Sequence, residues 1–289
     1  MIARVPASSA NIGPGFDALG MALTLYAEIG ELGVDPDADL PDGAQLAEEH
    51  HPATVAFRRA GGTGGLWVRS PIPMGRGLGY SAAVRVGGLL VGLAQRSGAG
   101  DTTTHEFSQD LADEVLAHAI ALEGHADNAA AAVLGGVVAT TGDRSIRVPL
   151  QLDPAVVVWV PGFSTRTDQS RTRLPATVEF ADAVFNVAHV AFLVAALAAG
   201  DVDALAHATQ DRLHQPSRFA SARESHAAYE AALAHGAWSA WLSGSGPTVA
   251  ALCAIETAPT VAAAMGETSG AVGHTKVLRI DHGGATIEP

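Results

Sequence analysis

Gly75, Gly77 and Gly79 alternate with larger residues in the stretch PIPMGRGLGYSAAV, Pro71 to Val84, and that spacing suits the gripping of an anion. A backbone free of Cβ atoms turns sharply and presents successive N–H groups. From Ser81 onward Ala82, Val86, Leu89 or Leu90 and Leu93 recur at three- and four-residue steps, which predicts a helix starting where the loop ends. Its N-terminal dipole would point into the loop, where a phosphate meets free donors and a favourable field. Taken alone, a glycine-rich turn before a helix is equally an ordinary connection.

A second group of polar residues, Glu123, His125, Asp127 and Asn128, falls within six positions in LEGHADNAAAAVLGG. Mg²⁺ takes one or two protein oxygens and completes its octahedron with phosphate and water, so a carboxylate near bound phosphates is what it needs. By itself the group could equally be a polar turn between helices. Ser8, Ser9, Asn11 and Asp17 make a third group, in a loop that suggests a ligand surface or, alone, a turn capped by Asn and Asp.

Composition narrows the chemistry. With 289 residues, 48% of them hydrophobic and 16% charged, the chain suits a globular enzyme of one large or two modest domains. A net charge of −13 argues against a broad nucleic-acid surface. Lys276 is the only lysine, which excludes a Walker loop and the protein-kinase arrangement. Any phosphate is therefore held by backbone, arginine and metal. Cys253, the single cysteine, sits in the apolar run TVAALCAI and reads as a buried hydrophobe, compatible with a reducing cytoplasm. The N-terminus lacks a signal-peptide core, and no later run has the continuity and flanks expected of a membrane span.

These residues need elements to hold them. The pattern predicts a short strand at Met1–Pro6 and a loop from Ala7, then an exposed acidic excursion over residues 30–50. A helix at Thr54–Ala60, a strand in GGLWVRS, the helix to about Arg96, a linker GAGDTTTHEF and a helix at Ser108–Leu122 follow. A further helix after the Glu123 group and a strand at Val137–Thr140 close the first half. Proline punctuation places a boundary near Gln151, giving regions 1–150 and 151–289. In the second region strands are expected at Ala155–Val160, Trp238–Leu242, Val249–Ile255 and Thr275–Ile280. Helices are expected at Phe185–Ala199, Val202–Leu213, Ala220–Leu233 and Thr260–Met265. Irregular alternation of the two types points to an α+β fold in two layers.

Three blocks in order, PASSANIGPGFDALG, PIPMGRGLGYSAA and WLSGSGPTVAAL, closely resemble the signature motifs of the GHMP small-molecule kinases. With LEGHADNAAAAVLGG, STRTDQSRTRLP and HQPSRFA, the chain is most similar to the homoserine kinase family, in its actinobacterial type. The resemblance implies a ribosomal-protein-S5-like N-terminal ATP-binding domain and a ferredoxin-like C-terminal domain, with the site between them. It implies that ATP is wrapped by Pro73, Gly75, Arg76, Gly77, Leu78, Gly79, Tyr80, Ser81 and Ala82, and that Ser81 and Glu123 hold Mg²⁺. Asn11, Asp17, His125 and Asn128 would line the amino-alcohol site, Arg171 and Arg218 would take its carboxylate, and Gly244 and Ser245 would close beneath it. Asn128, His125 and Glu123 would be the catalytic residues, acting by alignment. The polarity agrees, because an amino acid substrate wants one anionic side chain and a cationic fork. The family further implies a cytoplasmic enzyme, a homodimer, and partners limited to the small-molecule substrate and ATP.

The chain departs from the family twice. Tyr80 replaces a serine of the usual GLGSSA loop, so its ring either crowds the nucleotide or folds away with its hydroxyl on a phosphate. HHPATVAF stands where relatives carry a different adenine-side pattern. A kinase for another small hydroxy amino acid, or a catalytically idle relative that senses a metabolite, therefore stays open.

Overall fold

Two long antiparallel strands at the N-terminus carry the first half. β1 (Ile2–Ala10) pairs with β2 (Leu19–Glu31) from Ile2 opposite Gly30 to Ala10 opposite Gly20, with a register shift between Pro6 and Ala7. The expected loop at Ala7 is instead strand as far as Ala10. Ala7, Ser8, Ser9 and Ala10 are all buried, and only small residues let the helices and the second sheet approach so closely there. The computed structural model describes residues 1–33, 40–97, 109–164, 171, 172, 174–268 and 272–288. Residues 34–39 of the acidic excursion, the whole linker GAGDTTTHEF and more than half of STRTDQSRTRLP lie outside the described residues.

β11 (Thr286–Glu288), β1, β2, β4 (Leu66–Arg69) and β3 (Gln45–Ala47) neighbour one another in that order. β5 (Val137–Thr140) pairs with β2, and β6 (Ser145–Val148) pairs with β5. Onto this sheet pack α2 (Tyr80–Ser97) and α4 (Asp127–Leu134), with α1 (Pro52–Arg59) and α3 (Gln109–Glu123) against α2. The apolar period read from the sequence is the one that buries Ala82, Val86, Leu89, Leu90 and Leu93. Gly88 is needed inside α2, since a Cβ there would sit 2.1 Å from the Ala53 carbonyl oxygen of α1.

The second sheet runs β10 (Gly273–Arg279), β7 (Ala155–Pro161), β9 (Val249–Cys253) and β8 (Ser239–Leu242). β7 is covered on both faces, so it reads as a continuous apolar run. Val156, Val158 and Val160 join the core shared with the first sheet, while Ala155, Val157 and Trp159 face α8 (Arg223–Ala234) and α9 (Ala258–Thr268). Cys253 is buried in the latter layer, where desolvation pushes its thiol up.

Three expectations of the second half are revised. The helix expected at Phe185 is α5 (Phe180–Ala199), which starts at Phe180. The helix expected at Val202–Leu213 shrinks to α6 (Leu205–Ala208), because the Asp211 carboxylate instead accepts the N–H groups of Leu213, His214 and Gln215. Asp211 so holds the first N–H of another helix, α7 (Gln215–Ala220), in a segment with no helix expected before Ala220. The last strand, β11, returns the C-terminus to β1 of the first sheet. The expectation of no span-like run is also revised. α5 is a 20-residue helix of mean hydropathy 1.9, long and apolar enough to cross a membrane by length and composition alone. Here Asn186, His189, Leu193, Ala196 and Leu197 turn one side of it into the protein.

Candidate active site

The phosphate loop sits where the two sheets meet. Gly75, Gly77 and Gly79 all have positive φ, at 68°, 79° and 69°. A Cβ on Gly77 would lie 2.2 Å from the Ser243 carbonyl oxygen, and one on Gly79 would lie 2.0 Å from Ser8 Oγ. The loop is thus clamped between β1 and the turn that follows β8. Ser8 N–H donates to the Leu78 carbonyl at 3.2 Å, and Ser243 Oγ bridges Gly77 O at 2.5 Å and Ser9 Oγ at 2.8 Å.

One cavity of about 600 Å³ opens above the loop. Of the sequence-predicted residues it gathers Asn11, Asp17, Pro73, Gly75, Gly77, Gly79, Tyr80, Ser81, Ala82, Glu123, His125, Asn128, Arg171, Arg218, Gly244 and Ser245. Arg76 and Leu78 do not line it. Arg76 reaches away to donate to Gly162 O at 2.8 Å and Phe163 O at 3.3 Å, fastening the loop to the end of β7. Leu78 is fully buried, and its carbonyl is taken by the Ser8 N–H.

Ser81 stands in the first turn of α2 and Glu123 ends α3, and Ser81 Oγ donates to Glu123 Oε1 at 2.7 Å. Arg85, one turn further along α2, donates to both oxygens. Burial lowers the pKa of its guanidinium. A hydroxyl and a carboxylate so close match neighbouring vertices of a Mg²⁺ octahedron, an ion that takes one or two protein oxygens beside phosphates. Tyr80 answers the question raised by its size: its ring lies edge-on to His51, with Oη 3.1 Å from His51 Nε2. The hydroxyl thus meets the start of α1 while the residue still lines the cavity, and His51 caps that helix by accepting the Ala53 N–H at Nδ1. With Nδ1 an acceptor, a neutral His51 donates at Nε2 to Tyr80 Oη, whose own proton stays free to turn. Burial raises the Tyr80 phenol and lowers His51.

α4 presents Asn128 from its first turn. Asn128 Oδ1 accepts from Ser8 Oγ at 2.8 Å, and Asp127 Oδ1 accepts the Asn128 N–H at 2.7 Å. His125 Nδ1 lies 3.1 Å from the same Asp127 oxygen. Asp127, 2% exposed, therefore orients both predicted catalytic neighbours, a role the sequence reading left unassigned.

At the other end, Arg171 makes a two-pronged pair with Asp17, 2.9 Å from Oδ2 and 2.6 Å from Oδ1, which raises the Arg171 pKa. Arg218, 6% exposed, donates to Gly244 O at 2.9 Å and to His214 Nδ1 at 3.0 Å. Burial first, then the charge of Arg171, brings it down to about 10. Phe16 lies between the two guanidiniums, 5.4 Å from each Cζ. Asn11 uses its amide on Gly244 O and the Asp17 N–H, both at 3.0 Å, and so brackets this end. Asn11, Ile12 and Asp17 all have positive φ, a strain that is costly for a β-branched residue and typical of ligand sites. A zwitterion with a hydroxyl can insert between Asp17 and Arg171, with its hydroxyl towards Asn128 and the phosphate loop.

The sequence reading missed Ala10, Phe16, Pro52, Met74, Arg85 and Asp127 as lining residues. A usable signal existed for Arg85, since Ser81 and Arg85 share a helix face at i, i+4.

Comparison with known proteins gives a consistent pattern. Residues 44–136 match the GHMP kinases N terminal domain and residues 193–270 the GHMP kinases C terminal domain. A homoserine kinase of Gloeobacter violaceus is 40% identical over 286 residues, covering 93% of this chain and 92% of that protein. A homoserine kinase of Thermus thermophilus is 40% identical over 290 residues, covering 96% of each. The crystal structure of homoserine kinase from Cytophaga hutchinsonii superposes with a TM-score of 0.82 at 24% identity, covering 99% of this chain and 97% of that one, which shows a shared fold.

Proposed function

The chain belongs to the homoserine kinase family of the GHMP kinases, and on that premise we infer that it is an ATP-dependent small-molecule kinase. It transfers the γ-phosphoryl group of ATP to the side-chain hydroxyl of L-homoserine, giving O-phospho-L-homoserine for threonine biosynthesis. The observation that carries this reading is one cavity with a phosphate loop at one end and Asp17, Arg171 and Arg218 at the other.

In the reaction the substrate hydroxyl oxygen bonds to the γ-phosphorus, the bond to the β-phosphate oxygen breaks, and the hydroxyl proton leaves to solvent. The transition state is loose, so alignment and charge stabilisation supply most of the rate. Loop N–H groups and the head of α2 hold the phosphates. Asn128, tied to Ser8 and Asp127, orients the hydroxyl. His125, held by Asp127, shapes the pocket wall between Glu123 and Asn128. Ser81 and Glu123 would hold Mg²⁺, which neutralises charge on the β- and γ-phosphates. The substrate ammonium belongs at Asp17 and its carboxylate at Arg171 and Arg218.

The same reading includes division into regions 1–150 and 151–289, a cytoplasmic location, an actinobacterial type, with which the arginine-rich, lysine-poor, alanine-rich composition is compatible, and a homodimer. Phe180, Val184 and Val187, exposed along one face of α5, are surface that a second copy would cover. Sedimentation of the protein tests the dimer. A coupled ADP-release assay with ATP, Mg²⁺ and a panel of amino alcohols tests the reaction. ADP release with L-homoserine is expected; release only with another alcohol reassigns the acceptor, and none with any alcohol leaves a metabolite sensor.

A further inference from the structure

Arg85 has no part in that reaction scheme, yet its guanidinium occupies the position assigned to the divalent cation. It donates to Ser81 Oγ and Glu123 Oε1 together, from a side chain that is mostly buried. Glu123 is the last residue of α3, where the negative end of the helix opposes a carboxylate, and its side chain is only 7% exposed. A buried anion so placed requires a cation beside it. Arg85 Nε is buried without a hydrogen-bond partner, so the guanidinium forgoes one donor to reach the pair. Among the described residues, the other arginines lining the cavity are committed elsewhere, Arg171 to Asp17 and Arg218 to Gly244 and His214. Arg85 alone stands at the phosphate end, in a chain whose single lysine, Lys276, lies on β10.

Resting on the kinase reading, we propose that Arg85 is an internal counter-cation. In the nucleotide-free protein it holds the Ser81–Glu123 pair in place of the divalent cation. When the metal–nucleotide complex binds, it gives up Glu123 and turns to the phosphate oxygens. The reason is competition for one oxygen: a bare cation must displace a guanidinium from a poorly solvated carboxylate, whereas nucleotide phosphates offer that guanidinium a new anionic partner. Metal binding is thereby tied to nucleotide binding.

The test is titration of nucleotide-free protein with Mn²⁺, read by the electron paramagnetic signal of the free ion, for wild type, Arg85→Gln and Arg85→Lys of verified melting temperature. Arg85→Gln is expected to bind Mn²⁺ roughly tenfold or more tighter than wild type, with Arg85→Lys between them. With Mn²⁺ present, ADP is expected to bind Arg85→Gln roughly tenfold more weakly. Equal Mn²⁺ affinity in wild type and Arg85→Gln overturns the proposal, and so does unchanged ADP affinity. If the Gln variant does not fold, Arg85→Lys decides by the same two comparisons with wild type. A wild type that releases no ADP with L-homoserine fails the kinase reading instead, and the Mn²⁺ titration still decides the role of Arg85.

Discussion

Along the phosphate end of the cavity the binding groups come from consecutive residues, Gly75 to Ser81, whereas the acceptor end collects Asn11, Asp17, Arg171, Arg218 and Gly244 from segments up to 233 residues apart. The first is shaped by backbone conformation, three positive-φ glycines feeding a helix. The second is shaped by side chains that reach for backbone, as Asn11 and Arg218 both do to the Gly244 carbonyl. A loop of the first kind fails when a Cβ is added where other atoms pack against it, while a cluster of the second kind fails when any anchoring hydrogen bond changes its donor or acceptor.

Gly77→Ala should strike hardest, because it adds a Cβ 2.2 Å from a carbonyl oxygen at φ 79°. Strain and overpacking together predict about 4 kcal/mol of lost stability, read by denaturant unfolding. Gly75→Ala shares the positive φ, but its nearest neighbour would be Ser164 Cβ at 3.6 Å, so it should cost only about 1 kcal/mol. Equal effects would break the claim that close approach, beyond φ, shapes the loop. Glu123→Gln comes next: turnover should fall about a hundredfold or more with little change in KM for the amino alcohol. A matching rise in that KM would mean that the two ends are not separable.

The acceptor end has its own pH signature through His214. Nε2 donates to Gly13 O at 2.8 Å and Nδ1 accepts from Arg218, with Asp211 and Asp17 the nearby anions. Burial holds its pKa below the ordinary 6.5. The unfolded chain therefore takes up a proton first as pH falls, so stability is full above 6.5, declines below it, and stops declining beneath the folded value. Melting temperature against pH should show that slope, and His214→Gln should flatten it; a wild-type curve flat below 6.5 would count against a neutral His214. Tyr80→Ser should matter least. Its ring already lies against His51, so about 1 kcal/mol of stability and under about threefold in KM for ATP are expected. A much larger KM change would place Tyr80 on the nucleotide.

The same contrast explains what could be foreseen. Helix period, glycine spacing and turn residues are local, so α1, α2, β5 and the ladder of β7 follow from the order of residues. The shortened α6 does not, because the Asp211 side chain competes with the helix for backbone donors only in its folded setting. Nor does β11, whose partner β1 lies at the opposite end of the chain.

The sequence by itself determined the α+β class, the glycine loop running into a helix, the lack of a lysine in that loop and the identity of most cavity residues. Those are matters of residue type and short-range spacing, which chain order preserves. Tertiary structure alone decided that Tyr80 turns to His51, that Arg76 ties the loop to β7, that Asp127 orients His125 and Asn128, and that Arg85 meets Glu123. Each of these depends on which buried donor finds which acceptor across the fold, and burial makes that pairing obligatory without making it local.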